Sequence, residues 1–314
     1  MEERKLIKLG NSSFAIALPK EWIDKSKLKK GDKIFLEHNE NGEITVSSKF
    51  KKEEEKKIEI NLTDKDRDSI KHHLRAAYIK GYNTVIFKGD PKNKRIIEDL
   101  LKDYLSFEIM ESSPTEVTTK DFFDMKEVKF ENLVRRIDNC LREMFDITMT
   151  ELKREKPNPQ SLREMKETDA AVNKFYFLCS RIFSKGIDNP AMLNTLKMSG
   201  NRLFNNWWIA FNLESLGDGL KYFLQRTSKT TSKNKQAIYE IITRLQQEYI
   251  LCMEAFYSED SEKAFKVAEE TRKIRASIEN LKEEDPKTLH ALEALKLVEK
   301  NIYQNSKITF YIKY

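Results

Sequence analysis

The chain begins with the stretch that decides the fold of its N-terminal part: RKLIKLGNSSFAIALPKEW over residues 4–22, then LKKGDKIFL over residues 28–36. In the first stretch, apolar residues alternate with polar or small ones, as in half-buried β-strands. Gly-Asn-Ser-Ser at 10–13 divides two such runs and favours a turn. Pro19 suits the first turn of a short helix. With a last strand at 43–47 after an Asn-Gly hairpin signal, the pattern predicts four short strands and one helical turn.

This order of elements resembles the AbrB/MazE/SpoVT family of swapped-hairpin DNA-binding domains. Three motifs carry the resemblance: Gly-Asn-Ser at 10–12, Leu-Pro-Lys at 18–20 and Lys-Gly-Asp at 30–32. The resemblance implies a swapped-hairpin β-barrel over residues 1–48, which forms a dimer and binds double-stranded DNA. A solvated basic strand pair on an ordinary small barrel is the alternative.

The charge and size of this segment agree with the resemblance. Up to Lys33 it holds nine Lys and Arg against five Asp and Glu, and a dimer doubles that excess, which suits contacts to phosphates. A single copy of this length is too short to bury a core, so we expect it to pair. We expect the DNA contacts to come from the basic strand-turn-strand and the following helix start, at Arg4, Lys5, Lys8, Asn11, Ser12 and Lys20.

The composition limits the remaining functions. A chain of 314 residues has room for two or three domains, and its net charge of +6 is mild. No run of about 18 apolar residues and no apolar leader is present, so we expect a cytoplasmic protein without a transmembrane segment. The three cysteines are far apart in helical patterns, which argues against a zinc site or a disulfide framework. Low Gly and Pro contents favour a mostly helical chain.

The middle of the chain predicts a small unit of mixed structure. Residues 49–57 carry mixed charges without periodicity and are interpreted as a linker. Residues 58–126 follow a βαβαββ pattern, which predicts a two-layer α/β unit. It contains no glycine-rich phosphate loop and no catalytic trio, so a spacer or a dimer contact is the favoured role and a small-ligand sensor the alternative.

From residue 127 onward the apolar periodicity is helical throughout. The pattern predicts three helices, the third running from about 191 to 225, then a polar stretch at 227–232 and three more helices. Short connections between the last three make them antiparallel neighbours. This outline suggests two three-helix repeats, at 127–228 and 229–314.

The helical region resembles PhoU, the phosphate-uptake regulator family, which is built from two three-helix repeats. The stretches at 167–181 and 213–220 carry the resemblance. PhoU proteins place acid-x-x-x-acid pairs there, and residues four apart share a helix face. Glu214 and Asp218 match one pair; Asp169 matches the other, in which Asn173 replaces the second acid.

The resemblance implies that these four side chains hold a divalent or ferric ion in the first repeat. The second repeat lacks acidic pairs, because Lys273, Ile274 and Tyr303 stand at the corresponding positions. The alternative is that Glu214 and Asp218 are capping or surface acids. Trp207 and Trp208 are either core residues or part of an interface, and the sequence leaves both open.

Together the two resemblances predict a dimeric transcriptional regulator of phosphate uptake. Its N-terminal domain would bind DNA, and its PhoU-like region would sense phosphate status or couple to a phosphate transporter component. The alternative is an adaptor that does not bind DNA and regulates a transporter or signalling partner. No Ser/His/Asp, Cys/His or phosphate-loop arrangement occurs, so an enzyme is not expected.

Overall fold

A computed structural model describes residues 2–38, 42, 44–49, 55–89, 94–123, 128–227, 234–282 and 285–312. The chain divides into two compact units, Met1–Glu54 and Glu55–Tyr314. No helix within the described ranges is long and apolar enough to cross a membrane.

The first unit contains the four strands and the helix that the sequence predicts. They are β1 (Ile7–Leu9), β2 (Ser13–Ala15), α1 (Lys20–Lys25), β3 (Phe35–His38) and β4 (Ile44–Ser47). The strands pair as two antiparallel hairpins, β1 with β2 and β3 with β4. In the β1–β2 turn Gly10 has a φ of 70°, which a residue with a side chain adopts at a cost. Most of the predicted turn at 39–42 lies outside the described residues.

The apolar side chains of this unit are largely uncovered. None of its described residues is buried, and Leu6, Leu9 and Phe14 are 66%, 58% and 62% exposed. One copy of the unit therefore has no core among the residues that the structure describes. Closure of the hairpins into a barrel would need a second copy and stays a prediction.

The second unit starts with the predicted βαβαββ pattern. Its elements are β5 (Lys57–Asn61), α2 (Arg67–Ile79), β6 (Thr84–Lys88), α3 (Lys94–Leu101), β7 (Phe107–Ser112) and β8 (Glu116–Asp121). The sheet order is β5-β6-β8-β7, with β5 and β6 parallel and the other pairs antiparallel. Lys57, which was predicted to end the linker, is the first residue of β5.

Long helices follow: α4 (Phe130–Lys153), α5 (Pro159–Gly186), α6 (Pro190–Leu196), α7 (Gly200–Thr227), α8 (Lys235–Ser258), α9 (Ser261–Glu279) and α10 (Pro286–Ile312). The single helix predicted from 191 to 225 is wrong, because it is divided into α6 and α7. Lys197 ends α6 in the left-handed region, with a φ of 53°. Ser199 then caps the next helix, its Oγ accepting from the Arg202 N–H at 3.2 Å.

The helices share one continuous apolar core. At Gly219 on α7, an added Cβ would lie 2.9 Å from Val298 Cγ2 and 3.3 Å from the Ala294 carbonyl oxygen on α10. Only a glycine permits helices to approach this closely. The α/β layer joins the helices through Phe177 of α5, which belongs to the core of that layer. The segments predicted as domains 58–126, 127–228 and 229–314 therefore lie within one compact unit.

Candidate nucleic-acid interface and carboxylate cluster

Two of the three carboxylates predicted to bind a metal, Asp169 and Asp218, form ion pairs with Lys221, and the charge of Lys221 also acts on the third, Glu214. Asp169 projects from α5, and Asp218 precedes Lys221 by three residues on α7. Lys221 Nζ lies 2.8 Å from Asp169 Oδ2 and also forms an ion pair with Asp218. An internal cation thus bridges the two helices at the predicted site.

Asn173 joins this cluster as a hydrogen-bond donor. Its Nδ2 donates to the Asp169 backbone oxygen at 3.0 Å and lies 3.4 Å from Asp169 Oδ2. To ligate a cation, its amide would have to turn so that the oxygen faces inward. Among the described residues, no group of three or more His, Cys, Asp or Glu side chains has an arrangement that could hold a metal. Metal binding by Asp169, Asn173, Glu214 and Asp218 stays a prediction, and it requires Lys221 to move.

Glu214 has the most perturbed acidity of the three carboxylates. Burial raises its pKa to about 7, and the negative charges of Asp218 and Asp169 act in the same direction, against the opposing effects of Lys221 and Arg75. Burial also raises the pKa of Asp169, although Lys221 opposes this shift. A carboxyl group that changes its charge near neutral pH therefore lies beside a fixed ion pair.

Two acids of the predicted second repeat (residues 229–314), Glu270 and Glu299, are also paired with basic side chains. Glu270 on α9 contacts Arg244 at 2.7 Å and Lys273 at 2.9 Å. Glu299 on α10 lies 3.3 Å from Arg275. In both predicted repeats, these acids therefore form ion pairs with Lys or Arg side chains of the same repeat.

The two tryptophans that the sequence left open have different environments. Trp207 is half-buried, stacks on Phe183 with ring centroids 4.5 Å apart, and donates from Nε1 to Ser180 Oγ at 3.2 Å. Trp208 is 39% exposed and contacts Phe204. Trp207 is therefore a packing residue between α5 and α7, while Trp208 lies at the surface.

The six residues predicted to contact DNA are all exposed in the first unit: Arg4, Lys5, Lys8, Asn11, Ser12 and Lys20. Arg4 and Lys5 precede β1, and Asn11 and Ser12 lie in the turn between β1 and β2. Lys20 is the first residue of α1. Arg4 is not entirely free, because its guanidinium pairs with Glu2 at 2.6 Å.

Lys8 has a defined place on the β1–β2 hairpin. It lies opposite Phe14, while its neighbours Ile7 and Leu9 lie opposite Ala15 and Ser13. Directly opposed residues of antiparallel strands share a face, so Lys8 and Phe14 lie on one face and Ile7 and Leu9 on the other. Both faces carry exposed apolar side chains, and a basic group lies on the Phe14 face.

Residues 7–56 match the family model described as Antidote-toxin recognition MazE, bacterial antitoxin. The N-terminal part of the chain is an AbrB/MazE-type domain, as the motifs predicted. No curated protein and no solved structure matches the chain. The resemblance of the helical region to PhoU therefore stays a prediction.

Two cations that were not predicted from the sequence, Lys221 and Arg75, oppose the rise in the pKa of Glu214 that burial and the charges of Asp218 and Asp169 cause. Lys221 lies three residues after Asp218, a spacing that puts both on one helix face and could have indicated the pair. Arg75 comes from α2 of the α/β layer, and its approach depends on tertiary packing, so no local signal points to it. In the AbrB/MazE-type domain the motifs alone located the exposed basic residues.

Proposed function

We propose that the protein is a dimeric regulator that binds duplex DNA through its AbrB/MazE-type domain. One observation carries the proposal: in the first unit the basic residues are exposed, and the apolar side chains of the strands are exposed as well. Lys8 on β1 and Lys20 at the start of α1 present cations that can neutralise phosphates. Asn11 and Ser12, in the turn between β1 and β2, add hydrogen-bonding groups at the exposed end of the hairpin.

Dimer formation is the part of the proposal that the exposure of the strands supports. Ile7, Ile16 and Leu36 are 55%, 56% and 57% exposed in the single chain. A unit of this size that buries none of its described apolar side chains is expected to associate. A second copy of the hairpins would cover them and supply the core that one copy lacks.

For the second unit we propose a PhoU-like role in phosphate uptake, as a sensor or as the part that couples to a phosphate transporter component. The proposal is supported by the stretches at 167–181 and 213–220 and by the order of the long helices α4–α10. The carboxylate cluster would then bind a divalent or ferric ion when Lys221 withdraws. Phosphate control is tested by measuring genome-wide DNA occupancy of the tagged protein in phosphate-rich and phosphate-poor cells.

DNA binding is tested with the full chain and a labelled duplex over a range of salt concentrations. The variant is the triple replacement Arg4→Ala, Lys5→Ala and Lys8→Ala. A matched control removes three positive charges from exposed positions on the helices: Lys166→Ala, Lys266→Ala and Lys300→Ala. The first triple should weaken binding to all sequences and reduce the salt slope by about one for each phosphate that is no longer neutralised.

The control triple should bind like the wild type. Equal weakening by both triples would indicate a non-specific charge effect. Absence of binding at low salt would favour the adaptor, in which the first unit only dimerises and the helical unit regulates a transporter or signalling partner.

A further inference from the structure

A groove with a largely aromatic wall lies between α9 and α10 and has a volume of about 200 Å³. The side chains that line this α9–α10 groove are Phe265, Ala268, Glu269 and Arg272 of α9 and Tyr303, Lys307, Phe310 and Tyr311 of α10. Small-molecule sites usually have volumes from about 300 Å³ upward, so the groove is too small to enclose a whole ligand of that kind. It has room for an apolar side chain of a larger partner.

The aromatic rings form a continuous run from one helix to the other. The ring centroid of Phe265 on α9 lies 5.9 Å from that of Phe310 on α10, which lies 5.7 Å from that of Tyr311. Although they belong to this run, Phe265 and Tyr311 are 47% and 58% exposed. Aromatic side chains are enriched at the centres of protein–protein interfaces, so these rings suit an apolar side chain of a partner.

Two cations are held over the tyrosine rings of the groove. The Arg272 guanidinium lies 5.1 Å from the Tyr303 ring centroid and donates to Tyr303 Oη at 2.6 Å. Lys307 Nζ lies 5.6 Å from the Tyr303 ring centroid and 5.7 Å from that of Tyr311. Neither cation forms an ion pair with a carboxylate of the described residues. The rings therefore position the two charges without neutralising them.

One acid of the same wall, Glu269, opposes these cations. It is exposed, and its charge also acts outside the groove: the pKa of Lys273 is raised mainly by a hydrogen bond to Glu270 and to a smaller extent by Glu269. The wall thus holds two cations against one acid, and its net charge is positive. A complementary partner carries negative charges beside an apolar side chain.

We propose that the α9–α10 groove docks a short acidic segment of a partner protein. One aromatic or long aliphatic side chain of the segment packs against the rings of the groove, and carboxylates beside it pair with Arg272 and Lys307. A DNA duplex is less complementary, because Glu269 repels phosphates and the duplex offers no apolar side chain. The proposal does not depend on DNA binding, since every residue involved belongs to the second unit.

The test begins with a display library of random short peptides, which is selected on the immobilised full chain. Peptide sequences before and after selection are compared, and the most enriched peptide is labelled for fluorescence anisotropy. We expect the selected peptides to contain an aromatic or long aliphatic residue flanked by Asp or Glu. Selection that enriches neither acids nor apolar residues, or only one of the two, overturns the proposal.

Charge reversal at the groove locates the binding of the enriched peptide. Arg272→Glu with Lys307→Glu should weaken it by about tenfold or more, because two attractions become repulsions. The matched control is Lys282→Glu with Lys287→Glu, which reverses two exposed charges, one after the end of α9 and one in the first turn of α10. The control should bind like the wild type, and equal weakening by both double variants overturns the proposal.

The apolar part of the contact is tested without a change of charge. Phe265→Ser should weaken binding of the same peptide by about fivefold or more, because the groove loses one of its rings. Leu289→Ser, at a position of α10 that is 44% exposed, should leave the affinity unchanged. Equal affinities of these two variants overturn the proposal, and this comparison keeps it falsifiable if the charge-reversed variant fails to fold.

Duplex binding separates a protein partner from a nucleic acid. Arg272→Glu with Lys307→Glu should bind a labelled duplex like the control Lys282→Glu with Lys287→Glu, because the proposed DNA contacts lie in the first unit. If only the groove variant binds the duplex more weakly, the groove is a nucleic-acid contact and the proposal is overturned.

Discussion

Arg181 on α5 and Asp121 at the end of β8 form an ion pair in which the side chains are 0% and 3% exposed. The Arg181 guanidinium also donates to the backbone oxygens of Tyr78 and, at 3.1 Å, Tyr82. These contacts connect a long helix of the bundle to the sheet and to the end of α2. The α/β layer is thereby held to the helices by a buried charge network.

Removal of one partner of this pair should destabilise the second unit severely. Asp121→Ala leaves the Arg181 charge buried without its counter-ion, and we expect the free energy of unfolding to fall by about 3–5 kcal/mol. The adjacent surface pair of Lys120 and Glu55, 3.2 Å apart, provides the control. Lys120→Ala should cost at most about 1 kcal/mol. Urea unfolding followed by circular dichroism measures both, and equal small decreases would contradict the role assigned to Arg181.

The stability of the protein should depend on pH through Glu214. Its pKa is about 7 in the folded chain and near 4.5 when unfolded, so between these values the folded state binds more protons. The free energy of unfolding should therefore be highest below pH 4.5, as far as this group is concerned, and fall as the pH rises towards 7. We expect Glu214 to contribute a fall of about 1–3 kcal/mol.

Glu214→Gln isolates this effect, since the amide does not titrate. Denaturant titrations at several pH values should show that the difference in stability between wild type and variant changes across the window from 4.5 to 7. A constant difference would show that Glu214 is not the responsible group.

The metal prediction is tested by removing either the acids or the internal cation. Elemental analysis of protein purified without chelator should find a stoichiometric divalent or ferric ion, and Glu214→Ala with Asp218→Ala should abolish its uptake. Lys221→Met should raise the affinity for manganese, because it leaves Asp169 and Asp218 without their counter-ion. If wild type and Lys221→Met both remain metal-free after incubation with each ion, the cluster is an ion-pair network alone.

The first unit should fold only as a dimer. A fragment of residues 1–54 should sediment as a dimer, and its unfolding midpoint should rise with protein concentration, because folding and association are then coupled. Phe14→Asp puts a charge on a side chain that is 62% exposed in the single chain, and it should shift the fragment towards unfolded monomer. A stably folded monomer at micromolar concentration would contradict the swapped-hairpin interpretation.

Strand positions in the first unit could be predicted because their signals are local. The alternation around Leu9 and Phe14 and the turn glycine at position 10 depend on neighbours in sequence. Apolar periodicity does not predict the break between α6 and α7, because it continues on both sides of Lys197, although Ser199 and Gly200 are a local signal for a turn or a helix cap there. The helix breaks because Lys197 adopts the left-handed conformation and Ser199 then caps α7. Lysine and serine also occur within helices.

The candidate sites divide along the same line. The Glu214 and Asp218 pair follows from helical spacing, whereas the bridge from Lys221 to Asp169 joins residues of two helices. Spacing locates groups on a single element, and only packing shows which elements meet.

The close approach of α7 and α10 at Gly219 determines where this protein can be cut and recombined. A truncation after Thr227 would remove Val298 and Ala294 of α10 from the face of α7 and expose the buried apolar side chains of α7 to water. A circular permutation or a fusion that separates α7 from α10 would have the same effect on these buried side chains. Chimeras that exchange one module for another should therefore be joined near residue 54, where the AbrB/MazE-type domain can be replaced without opening the interior of the helices.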